Sequence, residues 1–124
     1  MENINWVAVI VGTVVAFLVG WLWYSPKLFG KGWADGSGVE LGSAESMPVM
    51  AMISQIVALL LLALVVGITA TTDALITAVI AILACAAFVF SSGAFARKSG
   101  YALRVDLGYI IVAGVIMIAA QGIF

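Results

Sequence analysis

The sequence predicts an all-α membrane protein: a four-helix transmembrane bundle with a short interfacial helix after the first crossing. Three observations predict it. Of the 124 residues, 65% are hydrophobic and 9% charged, whereas a soluble domain has about 45–50% apolar and about 25% charged residues. The apolar residues, with a mean hydropathy of +1.28 over the chain, fall into four runs. Each is long enough as a helix to cross a hydrocarbon layer about 30 Å thick. Every basic residue (Lys27, Lys31, Arg97, Lys98, Arg104) lies in the first or third connection between those runs. Residues 1–124 therefore read as one integral membrane domain, with crossings at about 4–24, 48–70, 74–95 and 105–124 and loops at 25–47 and 96–104.

The first crossing carries Asn5 and Trp6 at its start and Trp21, Trp23 and Tyr24 at its end. Rings with a polar tip collect where hydrocarbon meets water, so both ends read as interfaces. Gly12, Ala16 and Gly20 recur every four residues, a stripe that lets a neighbouring helix backbone approach closely in lipid. Ser25-Pro26 has the form of an N-cap followed by proline at the first helical position, predicting a short second helix. On it Lys27, Lys31 and Asp35 fall on one side and Leu28, Phe29 and Trp33 on the other, as suits a helix lying in the interface with its rings down. Gly30 and Gly32 weaken that helix. From Asp35 to Ser46 the Gly, Ser and Glu content predicts a solvated loop.

Pro48 opens the second crossing, and Thr71-Thr72-Asp73 closes it tightly, with Asp73 placed to cap the third. The third crossing is rich in Ala, which suggests the centre of the bundle, with Cys85 as a small core filler. Arg97 to Arg104 reads as a short basic loop, and the fourth crossing follows with Asp106, Gly108, Tyr109 and Gly114. The N-terminal stretch lacks a basic leader, so the first run is expected to be a retained crossing. The charge asymmetry places both basic loops in the cytoplasm and both termini outside it.

Asn5-Trp6, Gly20-Trp21-Leu22-Trp23-Tyr24-Ser25-Pro26 and Leu28-Phe29-Gly30-Lys31-Gly32-Trp33, with Gly108-Tyr109 as a lesser match, carry a resemblance. The chain resembles a family of small bacterial membrane proteins, the domain of unknown function 1761. That resemblance implies a four-helix domain in a bacterial inner membrane. It supplies no activity and no catalytic residue.

Chemistry is sparse. There is no His and one Cys, so neither a disulfide within the chain nor a multi-ligand His/Cys metal centre is possible, and no cofactor is expected. No nucleophile–base pairing and no phosphate-binding loop is present, which argues against an enzyme. The basic residues are too few and too near the membrane for nucleic acid. Near mid-depth stand Val14, Leu59, Ala84, Cys85 and Val115, none able to carry a proton or hold a cation as coupled transport requires.

Asp106 lies at or just inside the cytoplasmic boundary, where a lone charge is costly. Either it makes a local ion pair or is a first-turn acid stabilised by the helix dipole, or it converges with Trp23, Tyr24, Lys31, Trp33, Ser91, Arg97 and Arg104 on a pocket for an anionic or lipid-like molecule. The leading expectation is a non-enzymatic membrane protein that acts by helix–helix assembly, as a homo-oligomer or as an accessory subunit of a larger membrane complex. The alternative is binding or transport of an anionic or lipid-like small molecule at that cytoplasmic-side pocket.

Overall fold

The computed structural model describes residues 3–38 and 49–124. These form five helices: α1 (Trp6–Trp23), α2 (Gly30–Ser37), α3 (Val49–Ala70), α4 (Leu75–Phe95) and α5 (Gly100–Ile123). All but the short α2 are long and apolar enough to cross a membrane, and no strand occurs among the described residues. The chain is thus an all-α, multi-pass membrane bundle. Most of the expected Gly/Ser/Glu loop and the Pro48 start lie outside the described residues.

The axis of the bundle is α5, against which α1, α2, α3 and α4 all pack. Of its membrane-crossing stretch 39% is buried, against 17% for α4. The Ala-rich third crossing is therefore peripheral, contrary to the expectation from composition. Small side chains permit close packing but do not say which helix will use it. In α4 only one seam (Ala78, Ile82, Ala86, Gly93) is buried, and Cys85 stands exposed rather than in the core.

In lipid, apolar faces gain little by leaving hydrocarbon, so close backbone approach and polar contacts decide the packing. The α1–α5 seam has both. The two helices run antiparallel, Gly12 lying against Met117 and Ala120, and Trp23 against Val105. Ala16 and Ala113 are wholly enclosed, as is most of Tyr109, whose hydroxyl donates to the Ala16 carbonyl at 2.7 Å. A Cβ on Gly20 would sit 2.7 Å from that same hydroxyl. Hence Gly12, Ala16 and Gly20 line the α1 face that meets α5.

Several boundaries differ from expectation for identifiable reasons. Asn5 caps α1, its side chain accepting from the Ala8 amide at 3.1 Å. Ser25 does not cap α2. Its hydroxyl donates back to the Leu22 carbonyl, and its own carbonyl accepts from the Leu28 and Gly30 amides in a tight turn. That turn carries the chain to Gly30, where α2 begins; a side chain there would strike the Tyr24 and Ser25 backbone. Asp35, Gly36 and Ser37 belong to α2, not to a loop, and Gly38 ends it in the left-handed region at φ +71°. The Trp33 ring of α2 turns inward onto α5 rather than outward, and the helix docks there, Gly32 against the Tyr101 ring and the Gly36 carbonyl accepting from the Ser99 amide. Asp73 takes a left-handed φ of 53° and leaves α4 without a side-chain cap. Finally, α5 starts at Gly100 rather than Val105, because Ser99 caps it by accepting from the Ala102 amide. The basic loop is correspondingly short, with Arg104 inside the helix.

Candidate functional site

At the end of the bundle where α1 stops and α5 starts, one carboxylate collects three donors from separate parts of the chain. Asp106 is 7% exposed. Its Oδ1 accepts from the Tyr24 hydroxyl at 2.6 Å and from the Trp33 indole N–H at 2.9 Å. Its Oδ2 accepts from the Lys98 ammonium at 2.9 Å. Each donor has a different structural origin. Tyr24 is the residue beyond α1, Trp33 projects from the docked face of α2, Lys98 comes from the connection before α5, and Asp106 lies two turns into α5.

Aromatic packing holds these groups in register. Tyr24 meets Trp33 edge-on at 5.0 Å between ring centres and Tyr109 at 5.7 Å. The Lys98 ammonium sits 5.5 Å above the Trp33 ring, so that indole both donates to the carboxylate and faces the cation. Next to the cluster, Trp23 donates its N–H to the Val105 carbonyl at 3.0 Å and tilts against Phe29. Burial, and the acceptor Asp106, push the Tyr24 phenol far above its usual range, so it remains a proton donor.

The electrostatics are those of a closed site. A carboxylate placed near hydrocarbon is tolerable only when paired and hydrogen-bonded, and here charge-assisted donors reach both oxygens. Among the described residues no grouping of three or more His, Cys, Asp or Glu could hold a metal ion. What the cluster does is tie α1, α2, α5 and the basic loop into one end plate.

The expected pocket residues divide accordingly. Trp23, Tyr24, Trp33 and Asp106 come together. Lys31, Ser91, Arg97 and Arg104 do not hydrogen-bond to the carboxylate, though Arg104 shares a groove with Trp23. Lys31 is exposed on α2, Ser91 is exposed on α4, and Arg97 is exposed at a left-handed φ of 63°. Arg104 is exposed on α5, its Nε donating to the Gly100 carbonyl at 3.2 Å. The cation that pairs with Asp106 is Lys98, which sequence reasoning passed over among the loop's charges. Its signal was present, since a basic residue just before an N-cap Ser can reach back along the first two turns. Tyr109, one turn beyond Asp106, was named only as part of the fourth crossing and of the family resemblance.

A family model for proteins of unknown function, DUF1761, matches residues 7–122, nearly the whole chain. The chain belongs to the DUF1761 family. The matched stretch contains every residue of the Asp106 cluster and, but for Trp6 and Ile123, all four crossing helices, so the DUF1761 domain and the bundle are the same unit. No curated protein and no solved structure matches the chain.

A shallow groove of about 430 Å³ opens beside the cluster, lined by Trp23, Phe29, Tyr101, Arg104 and Val105. It adjoins the end plate without reaching the carboxylate, whose oxygens are occupied.

Proposed function

We propose that this DUF1761 protein is a non-enzymatic membrane protein that acts through helix–helix assembly, with the outer face of α4 as its contact surface. It would work as a homo-oligomer or as a small subunit of a larger membrane complex. One observation carries the reading: Thr77, Ile80, Ala84, Ala87, Ser91 and Ala94 are all exposed and spaced alternately three and four apart. At helical pitch they form one stripe opposite the buried seam of Ala78, Ile82, Ala86 and Gly93. Five of these six residues are small or short. Bulky side chains flank the stripe on α4 (Ile76, Leu83, Phe88 and Phe95), as they cover α3 (Val49, Met50, Ile53, Val57, Leu60 and Leu61), so what sets α4 apart is the continuous line of small residues between them. Small residues turned outward allow a second helix close approach, which in lipid is the main source of association energy. The stripe of α1 is spent inside the bundle; that of α4 is free.

Native mass spectrometry after mild detergent extraction tests this. A second copy or another membrane protein stays bound, and Ala87→Phe releases it. A monomer with neither protein partner nor retained lipid contradicts the reading.

The setting we propose is a bacterial inner membrane with the basic end in the cytoplasm and both termini outside. The supporting fact is that the turn bearing Lys27, the start of α2 bearing Lys31, and the Arg97–Arg104 stretch all lie at one end of the bundle, joined through Asp106. A second reading is that this end binds an anionic or lipid-like molecule. The groove beside Arg104 favours it, because among the described residues only Lys98 of the five basic residues is neutralised by an ion pair.

A further inference from the structure

We propose that the groove lined by Trp23, Phe29, Tyr101, Arg104 and Val105 holds one anionic phospholipid. Its phosphate lies against the Arg104 guanidinium, and the first part of an acyl chain lies along Trp23, Phe29 and Val105. This rests on the reading of the basic end as an anion-binding surface and names the ligand.

Four features of the groove select that chemistry. It is a shallow, open groove of about 430 Å³, room for a headgroup and the first part of a chain rather than for an enclosed small molecule. Its walls are almost wholly apolar, because Trp23 has already spent its N–H on the Val105 carbonyl and offers only its ring. One charged group lines it, Arg104, whose Nε is anchored to the Gly100 carbonyl. That contact orients the planar fork and leaves its terminal N–H groups for a phosphate, which a guanidinium binds through two parallel hydrogen bonds. Last is depth. The groove lies where α1 ends and α5 begins, at the end of the bundle that carries the basic residues, the level that suits a headgroup phosphate. Phe29 is flanked in the chain by the exposed Lys27 and Lys31, which add positive potential at the same level. A fully soluble anion would leave the ring walls unused, and a neutral lipid would leave the guanidinium unmatched.

The test is native mass spectrometry of the full chain with equal amounts of phosphatidylglycerol and phosphatidylcholine, in wild type, Arg104→Gln and Arg97→Gln. Arg104→Gln removes an exposed group and preserves fold, checked by an unchanged melting temperature. Wild type is expected to retain phosphatidylglycerol over phosphatidylcholine by roughly fivefold, the factor expected of about 1 kcal/mol from one basic residue near an anionic surface. Arg104→Gln abolishes that preference, Arg97→Gln keeps it, and glycerol phosphate does not compete. If glycerol phosphate displaces the lipid through Arg104, the lipid assignment is overturned while the anion-binding reading survives. Equal retention of the two lipids by wild type, or equal loss in both variants, overturns both.

Discussion

At the scale of single residues, Asp106 is the group whose loss the bundle tolerates least. Its carboxylate neutralises Lys98 and receives Tyr24 and Trp33; an amide in its place keeps an acceptor for Tyr24 and Trp33 but turns an N–H donor toward the Lys98 ammonium, which is left unpaired. Asp106→Asn is expected to lower stability in detergent by roughly 2–4 kcal/mol, since a broken buried pair leaves an uncompensated partner. Lys98 softens the effect, because its side chain keeps 25% exposure against 9% for the acid. Thermal unfolding of Asp106→Asn, Lys98→Gln and the double variant checks this. The coupling between the two sites is expected at roughly 1–2 kcal/mol, and a value near zero would mean the pair is incidental. The sequence marked Asp106 as anomalous because a charge at that depth demands a partner. Which of five cations would supply it was not legible, since the answer depends on where α5 starts. Ser99 makes that decision through a single cap hydrogen bond.

At the scale of elements, the α1–α5 seam is set by fit rather than by apolarity. Tyr109 is held from both sides, its hydroxyl on the Ala16 carbonyl and its ring beneath Gly20. Gly20→Ala is therefore expected to destabilise by about 1–3 kcal/mol through overpacking, despite the better helix propensity of alanine. Gly122→Ala, where a methyl group meets open space, is expected to change stability by less than about 0.5 kcal/mol. Melting temperatures of the two variants separate these cases. The four crossings themselves were readable from apolar run length, whereas Asn5, read only as part of the interface, proves to be the α1 cap. The short helix was readable in existence but not in place. Ser25-Pro26 looks like a cap, yet the backbone turn at Ser25 consumes the same groups, and the helix waits until Gly30. The start of α5 was hidden differently. Arg97, Lys98 and Arg104 read as loop because charges leave hydrocarbon, but an arginine on a helix emerging from the membrane meets that demand equally well.

At the scale of the whole molecule, hydrophobicity identifies the solvent of this bundle but not its order. A soluble core announces its central helix by being apolar all round; in lipid every crossing is apolar all round, and α4 and α5 cannot be ranked by composition. Polar contacts rank them, and α5 carries Asp106 and Tyr109. The end plate they build gathers the cationic segments, which leads to a topological expectation. With Cys85 replaced by Ala, single cysteines at Lys27 and Arg97 react with an impermeant thiol reagent only after the membrane is opened, whereas Thr72→Cys reacts in intact cells. Labelling of Lys27→Cys and Arg97→Cys from opposite sides would break the bundle as described.

Assembly through α4 is the claim on which the functional account turns, and site-specific photo-cross-linking in living cells addresses it most directly. A photoreactive amino acid placed in turn at Ala84, Ala87 and Ser91 on α4 is expected to yield protein adducts heavier than the monomer. The same probe at Val57 and Leu61 on α3 is expected to meet only lipid. Absence of protein adducts along α4, or equal capture from α3, would contradict the account.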